Sequence, residues 1–111
     1  MKRIGQIIRL KPAAYEEYKK SHAAVWQGVL DKIHEANIRN YSIYHWNGLL
    51  FAYYEYIGSN YDADMNIISS DPTTHEWWAI HDAMQEPVQG SSTGSKDGNW
   101  WTDMEEVFHA D

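Results

Sequence analysis

The segment RNYSIYHWNGLLFAYYEYI, residues 39–57, decides the fold of this chain. It consists of two runs rich in aromatic and β-branched residues, separated by Asn47-Gly48. Because Asn and Gly tolerate the positive φ angles of a type I′ turn, this pattern predicts a β-hairpin in which Trp46 pairs with Leu49. The hairpin is therefore the point from which the rest of the sheet is built.

Both faces of this hairpin are apolar, which has consequences for packing. With Trp46 opposite Leu49, the alternation of side chains gives the following two sets. One face carries Tyr41, Ile43, His45, Leu50, Ala52, Tyr54 and Tyr56, and the other carries Ser42, Tyr44, Trp46, Leu49, Phe51 and Tyr53. We expect one of the two faces to pack on the protein's own helices and the other to be covered by another copy of the chain.

The residues before the hairpin predict a strand followed by one long helix. Residues 3–10 alternate in a manner typical of a strand and end at Lys11-Pro12. From residue 13 to residue 36 the apolar positions recur in steps of three and four, which predicts a single helix of about six or seven turns. Pro12 suits its first turn and Asn37 its end.

The residues after the hairpin complete the pattern. Residues 61–68 predict a short helix, and Asp71-Pro72 opens another, with Asp71 as N-cap. Residues 89–99 are rich in Gly and Ser and predict a long loop of the kind that often forms a lid. Residues 104–109 predict a last strand. The order β-α-β-β-α-β predicts one domain, residues 1–111, with a ferredoxin-like α+β sandwich and helices on one face of an antiparallel sheet.

Composition excludes several classes of function. The net charge is −7 with only nine Lys and Arg, which argues against nucleic acid and anionic membranes as partners. The absence of cysteine excludes thiolate zinc sites and cysteine nucleophiles. No run approaches the about 18 apolar residues of a membrane span. Arg9 interrupts the amino-terminal apolar run and no small-residue cleavage site follows, so we expect a cytoplasmic protein.

His22 is the strongest candidate for chemistry. It lies on the apolar face of the predicted long helix, four residues from Tyr18 and four from Trp26. A histidine there is often structural, bonded to a tyrosine or a backbone carbonyl. The hydroxyl of Tyr18, one turn away, gives it a polar companion, and an imidazole with an ordinary pKa near 6.5 exchanges protons at neutral pH.

Tyr41, Trp77 and Trp78 form a second group of candidates. Adjacent helical residues differ by about 100°, so Trp77 and Trp78 cannot both face the same core. One is free to line a cavity, where an aromatic face stacks on the C–H groups of a sugar; the alternative is that both serve only in packing. The net negative charge of the chain disfavours nucleobases as the ligand.

We expect neither a metal nor a cofactor. The six histidines are scattered without the helical i, i+4 spacing of a zinc motif, and the carboxylates form no obvious catalytic pair. Gly90, Gly94 and Gly98 fit neither a phosphate-binding loop nor a dinucleotide motif.

Several segments together resemble the L-rhamnose mutarotases, over residues 3–109. They are residues 15–18 (YEEY), His22, Trp26, residues 40–44 (NYSIY), residues 49–52 (LLFA), Trp77-Trp78 and residues 104–109 (MEEVFH). The resemblance implies a dimeric ferredoxin-like protein that interconverts the α and β anomers of a deoxysugar without a cofactor. It further implies that His22 donates a proton and that Tyr18, Tyr41, Trp77 and Trp78 contact the sugar.

Two departures from the family leave the sugar open. The family often has proline after the tryptophan that matches Trp26, and Gln27 stands there instead, so we expect the helix to continue without a kink. The loop before Trp100-Trp101 is also long. Because a loop over the pocket changes which hydroxyls are recognised, L-fucose stays an alternative to L-rhamnose.

Two other classes of function are compatible with these residues. In a sugar-binding module, His22 would donate only a hydrogen bond, and affinity would occur without turnover. In a small oxygenase of the same fold, the aromatic pocket would hold haem or a phenolic substrate.

Overall fold

A computed structural model describes all residues, 1–111, and contains one antiparallel sheet. Its strands are β1 (Lys2–Leu10), β2 (Ile38–Trp46), β3 (Leu49–Tyr56), β4 (Gln85–Glu86) and β5 (Thr102–Met104). Strand β3 lies between β2 and β1, and both β4 and β5 pair with the other edge of β1. The ferredoxin-like arrangement predicted from the sequence is confirmed, and β4 is a strand that the sequence pattern did not reveal.

The hairpin has the predicted register. Trp46 pairs with Leu49, and both turn residues have positive φ, 51° at Asn47 and 76° at Gly48, as a type I′ turn requires. A bulge between Arg39 and Ser42 shifts the pairing at the start of β2, and it is accompanied by a positive φ of 52° at Asn40.

The prediction of one long helix is wrong. A short 3₁₀ turn leads into α1 (Tyr15–His22), which is followed by α2 (Gln27–Glu35), and Trp26 between them is extended, with ψ 135°. The break occurs without proline, because Gln27 can begin a new helix as well as continue one. The break allows α1 to pack on the core cluster around Ile8, whereas Val29, the buried residue of α2, lies outside that cluster.

The two later helices begin where the sequence indicated. Helix α3 (Tyr61–Ser69) and helix α4 (Pro72–Asp82) are each capped by the preceding residue. The side chain of Asn60 accepts a hydrogen bond from the amide of Ala63, and that of Asp71 accepts one from Thr74. The predicted loop, residues 89–99, is irregular apart from one 3₁₀ turn, Ser95–Asp97.

The predicted strand at residues 104–109 is also wrong in extent. Ladder pairing ends at Met104, which is opposite Gly5, and residues 105–111 continue without a strand partner. The Arg3 guanidinium donates two hydrogen bonds, of 2.9 and 3.0 Å, to the Glu106 carboxylate beyond this point. A side-chain contact thus replaces the backbone ladder, and the alternating pattern of this segment does not produce a strand without a neighbour to pair with.

The helices cover one face of the sheet. That face contributes two clusters of buried residues, one around Ile8, Leu50 and Tyr18 and one around Ile4, Tyr54 and Tyr56. The opposite face is open, and Tyr44 and Trp46 are 66% and 67% exposed on it. None of the helices has the length and apolar character needed to span a membrane.

Candidate active site

His22 lies at the last position of α1, with its ring stacked on Tyr18. The ring centroids are 4.1 Å apart and the rings are inclined by 22°. His22 Nδ1 lies 2.9 Å from the backbone oxygen of Tyr18. Because a carbonyl oxygen only accepts, Nδ1 of the neutral imidazole carries the hydrogen, and Nε2 has a free lone pair.

The surroundings of His22 favour its neutral form. Partial burial lowers its pKa below the usual value, the Tyr18 carbonyl opposes this shift, and nearby His81 adds to it. At neutral pH the imidazole therefore begins as a proton acceptor at Nε2, and it can donate a proton only after it has received one.

Tryptophan side chains form an aromatic wall beside His22. Trp77, on α4, is buried, with its ring edge-on to His22 at 5.2 Å. Trp26, at the break between α1 and α2, lies edge-on to Trp77 at the same separation. Trp26 therefore lies beside Trp77 even though the helix predicted to carry it is broken at this residue.

His81 and Ser21 also belong to this cluster, and the sequence analysis did not single them out. The His81 ring is 4.9 Å from that of His22 and 4.1 Å from that of Trp77. His81 Nδ1 donates to the Trp77 carbonyl at 2.7 Å, and its Nε2 lies 2.7 Å from Ser21 Oγ. The signal that could have revealed His81 is its position one helical turn after Trp77.

Tyr18 has a second set of partners at its hydroxyl end. Gln85 Nε2 donates to the Tyr18 oxygen at 3.2 Å, and Gln85 Oε1 accepts from Trp100 Nε1 at 2.9 Å. Burial raises the pKa of Tyr18 well above its ordinary value. Gln85 and Trp100 were not predicted as site residues either, because no local pattern links them to Tyr18.

Tyr41 lies at the bulge of β2, and its ring is 5.2 Å from that of Tyr54. Removal of its hydroxyl from water, together with neighbouring Tyr61, raises the pKa of Tyr41 to about 12, although the residue as a whole is 39% exposed. Tyr41 also contributes to the raised pKa of Tyr18, so the two hydroxyls share one electrostatic environment.

Trp78 lies on the other side of α4. Its ring stacks on His75 at 5.7 Å, and it has no aromatic contact with His22. It lines a cleft of about 320 Å³ between α4 and the loop. The other residues of this cleft are His75, Ala79, Asp82, Thr93, Gly94, Lys96 and Asp97. The structure therefore brings Tyr18, His22 and Trp77 together, with Tyr41 nearby, and separates Trp78 from them.

No three histidine or carboxylate side chains converge in a way that would hold a metal ion. The groups of this site are instead the imidazoles of His22 and His81, hydroxyls and aromatic rings. Such a set can transfer protons and hold hydroxyl groups against an apolar wall.

Comparison with known proteins shows the family to which the chain belongs. The sequence profile of a family described as L-rhamnose mutarotase matches residues 3–110. The chain belongs to the L-rhamnose mutarotase family. The L-rhamnose mutarotase of Lactiplantibacillus plantarum is 32% identical over the full length of both chains, and that of Phocaeicola vulgatus is 31% identical over the full length of both. The resemblance noted from the sequence is thereby confirmed.

Solved structures agree on the fold. The L-rhamnose mutarotase of Formosa agariphila superposes with a TM-score of 0.77 and full coverage of both chains, at 18% identity. The tetracenomycin F2 cyclase of Streptomyces glaucescens superposes with a TM-score of 0.71, covering all of this chain and 98% of its own, at 15% identity. Since a type-II polyketide cyclase has the same fold, the fold alone does not specify the reaction.

Proposed function

We propose that this protein is a mutarotase that interconverts the α and β anomers of L-rhamnose by opening and reclosing the sugar ring. The observation that carries the proposal is the geometry of His22 in a chain of this family: Nδ1–H is held by the Tyr18 carbonyl, and Nε2 is left free beside an aromatic wall. Membership of a family whose relatives carry this name supports the sugar.

The reaction needs one group that takes a proton and returns it. Neutral His22 removes the proton of the hydroxyl on C1 at Nε2. The resulting imidazolium donates that proton to the ring oxygen as the bond between C1 and the ring oxygen breaks and the C1 aldehyde forms. Rotation about the C1–C2 bond exposes the other aldehyde face, and the reverse steps close the ring. The proton returns to its starting place and nothing else is consumed.

The other predicted site residues hold the sugar in this proposal. Tyr18 and Tyr41 supply hydroxyls for polar contacts, and Trp77 supplies an apolar wall for the C–H face of the ring. Trp78 belongs to the proposal through the family resemblance alone, because it faces the loop side of α4.

Anomer exchange tests the reaction directly. Protein is added to equilibrated L-rhamnose, and saturation transfer between the two anomeric protons is measured by NMR. We expect exchange faster than the spontaneous rate; no acceleration would overturn the proposal. A parallel series with L-fucose decides between the two sugars, and binding without acceleration would indicate a sugar-binding module instead.

We further propose that the protein forms a homodimer through the open sheet face. Tyr44, Trp46 and Met104 are 66%, 67% and 41% exposed there, and large apolar side chains grouped on one exposed face mark an interaction surface. Light scattering should give twice the chain mass, and Trp46→Glu should reduce it to the monomer mass. An unchanged mass in the folded variant would contradict this interface.

The expected cytoplasmic location is also part of the proposal. Fractionation of the producing cell should recover the protein with cytoplasmic markers, and its recovery outside the cytoplasm would contradict this location.

A further inference from the structure

The hydroxyl of Tyr18 begins a chain of buried polar groups that the proton transfer by His22 does not use. Trp100 Nε1 donates to Gln85 Oε1 at 2.9 Å, and Gln85 Nε2 donates to the Tyr18 oxygen at 3.2 Å. The three residues are only 5–6% exposed. Trp100 lies at the end of the long loop, so this chain connects the loop to the site.

The direction of these hydrogen bonds is fixed by chemistry. An indole N–H can only donate, so the oxygen of the Gln85 amide must face Trp100 and its NH₂ group must face Tyr18. The Tyr18 oxygen is therefore an acceptor, and its own hydroxyl proton has no protein acceptor in the structure. A buried hydroxyl whose donor is unused is ready to donate to a ligand.

Tyr18 and His22 then offer opposite functions side by side. Neutral His22 presents an acceptor at Nε2, and Tyr18 presents a donor. A hemiacetal centre has the complementary pair on one carbon, since the C1 hydroxyl can donate and the ring oxygen can only accept.

We propose that Gln85 and Trp100 are positioning residues that fix Tyr18 as the hydrogen-bond donor to the ring oxygen of the sugar. This inference rests on the proposed function, because it assigns hydrogen-bond donor and acceptor roles within the same site. Tyr18 keeps its proton throughout the reaction, in agreement with the strong rise in its pKa on burial. Its hydrogen bond aligns the ring oxygen to receive the proton that His22 returns.

Gln85→Glu replaces the hydrogen-bond donor that faces Tyr18 with an acceptor, and it hardly changes the shape of the side chain. A carboxylate at position 85 still accepts from Trp100, but it also accepts from Tyr18 and so removes the donor from the sugar. We expect the KM for L-rhamnose exchange to rise about tenfold at pH 8. When the new carboxyl is protonated, its O–H donates to Tyr18 as the amide did, so we expect the KM to return toward the wild-type value near pH 5.

The ratio of variant to wild-type KM isolates this effect. The titratable groups of the site are Tyr18, Tyr41, His22 and His81. Charged groups from the surrounding elements are Glu17 and Asp82 near His81, Lys11 on the Ala83 carbonyl, and the paired Arg9 and Glu86 beside position 85, and all of these are present in both proteins. Their own titration is common to both proteins, so a pH dependence of the ratio reports the carboxyl that the substitution adds. Gln89→Glu, in the exposed part of the loop, is the matched control and should leave the ratio near one at every pH.

Trp100→Phe tests the other end of the chain. It keeps an aromatic ring in the core but removes the N–H, so Gln85 is free to turn its oxygen toward Tyr18, and we expect a KM increase of about three- to fivefold. Wild-type KM in both folded variants, or a Gln85→Glu ratio that does not change with pH, would overturn the inference while leaving the mutarotase proposal intact. Failure of the wild-type protein to accelerate exchange would instead defeat the proposed function itself.

Discussion

The two sides of helix α4 have different surroundings, although the residues of both sides come from the same eleven-residue segment. One side, with Trp77 and His81, is buried against α1 and His22. The other, with Trp78 and Asp82, borders a polar cleft, where Asp82 accepts hydrogen bonds from the backbone and hydroxyl of Ser95. The first side can exchange protons in an apolar setting, and the second holds a loop in place.

This difference shows that two adjacent residues of the same type have different surroundings because they project from the helix in different directions. Trp77 and Trp78 are adjacent in sequence, yet Trp77 contacts His22 and Trp78 stacks on His75. Paired variants on the two sides test the distinction, because each pair changes the same chemical group in the two environments.

The histidine pair should show the largest difference. His22→Ala removes the group that we propose takes and returns the proton, so we expect the exchange rate to fall by about 10²-fold or more. His75→Ala, on the cleft side, should stay within twofold of wild type. The measurement is saturation transfer on L-rhamnose; full acceleration in His22→Ala would contradict the role assigned to His22.

The tryptophan pair should differ in stability. Trp77→Ala leaves a cavity beside His22 and His81 and should lower the free energy of unfolding by about 3–5 kcal/mol. Trp78→Ala removes a ring that is only half-buried and should cost about 1–2 kcal/mol. Urea unfolding gives both values, and equal losses would refute the distinction between the two sides.

The buried imidazoles should also make stability depend on pH. Burial lowers the pKa values of His22 and His81 in the folded protein below the unfolded value of about 6.5. The unfolded state therefore binds more protons in this range, and the free energy of unfolding should decrease as pH falls from about 7 to 5.5. The variant with both His22→Gln and His81→Met should lose most of this slope, and an unchanged slope would argue against the assignment.

The serine pair should give the smallest difference. Ser21 Oγ lies 3.3 Å from His22 Nδ1 and 2.7 Å from His81 Nε2, so Ser21→Ala should slow exchange by about two- to fivefold through the orientation of His22. Ser95→Ala loosens only the loop and should have no effect on exchange. Equal rates in the two variants would show that Ser21 does not position His22; ring-nitrogen NMR of His22 reports the same change.

Much of the site could be predicted from local patterns, and the rest could not. His22 beside Tyr18 follows from the four-residue helical spacing, and Trp77 as distinct from Trp78 follows from the helical angle. Gln85, which contacts the Tyr18 hydroxyl, lies 67 residues further along the chain in a two-residue strand. Trp100, which contacts Gln85, follows an irregular loop. No spacing rule encodes contacts of that kind.

The sequence by itself determined the hairpin, the helix caps and the type of fold, because turn residues, caps and alternation act between near neighbours. Tertiary packing decided where the first helix breaks, since α1 and α2 must reach different parts of the core and Gln27 permits either outcome. It also decided where the last strand ends, since a strand exists only opposite a partner. Finally, it decided the polarity of Tyr18, because the donor and acceptor groups that set it meet only in the folded chain.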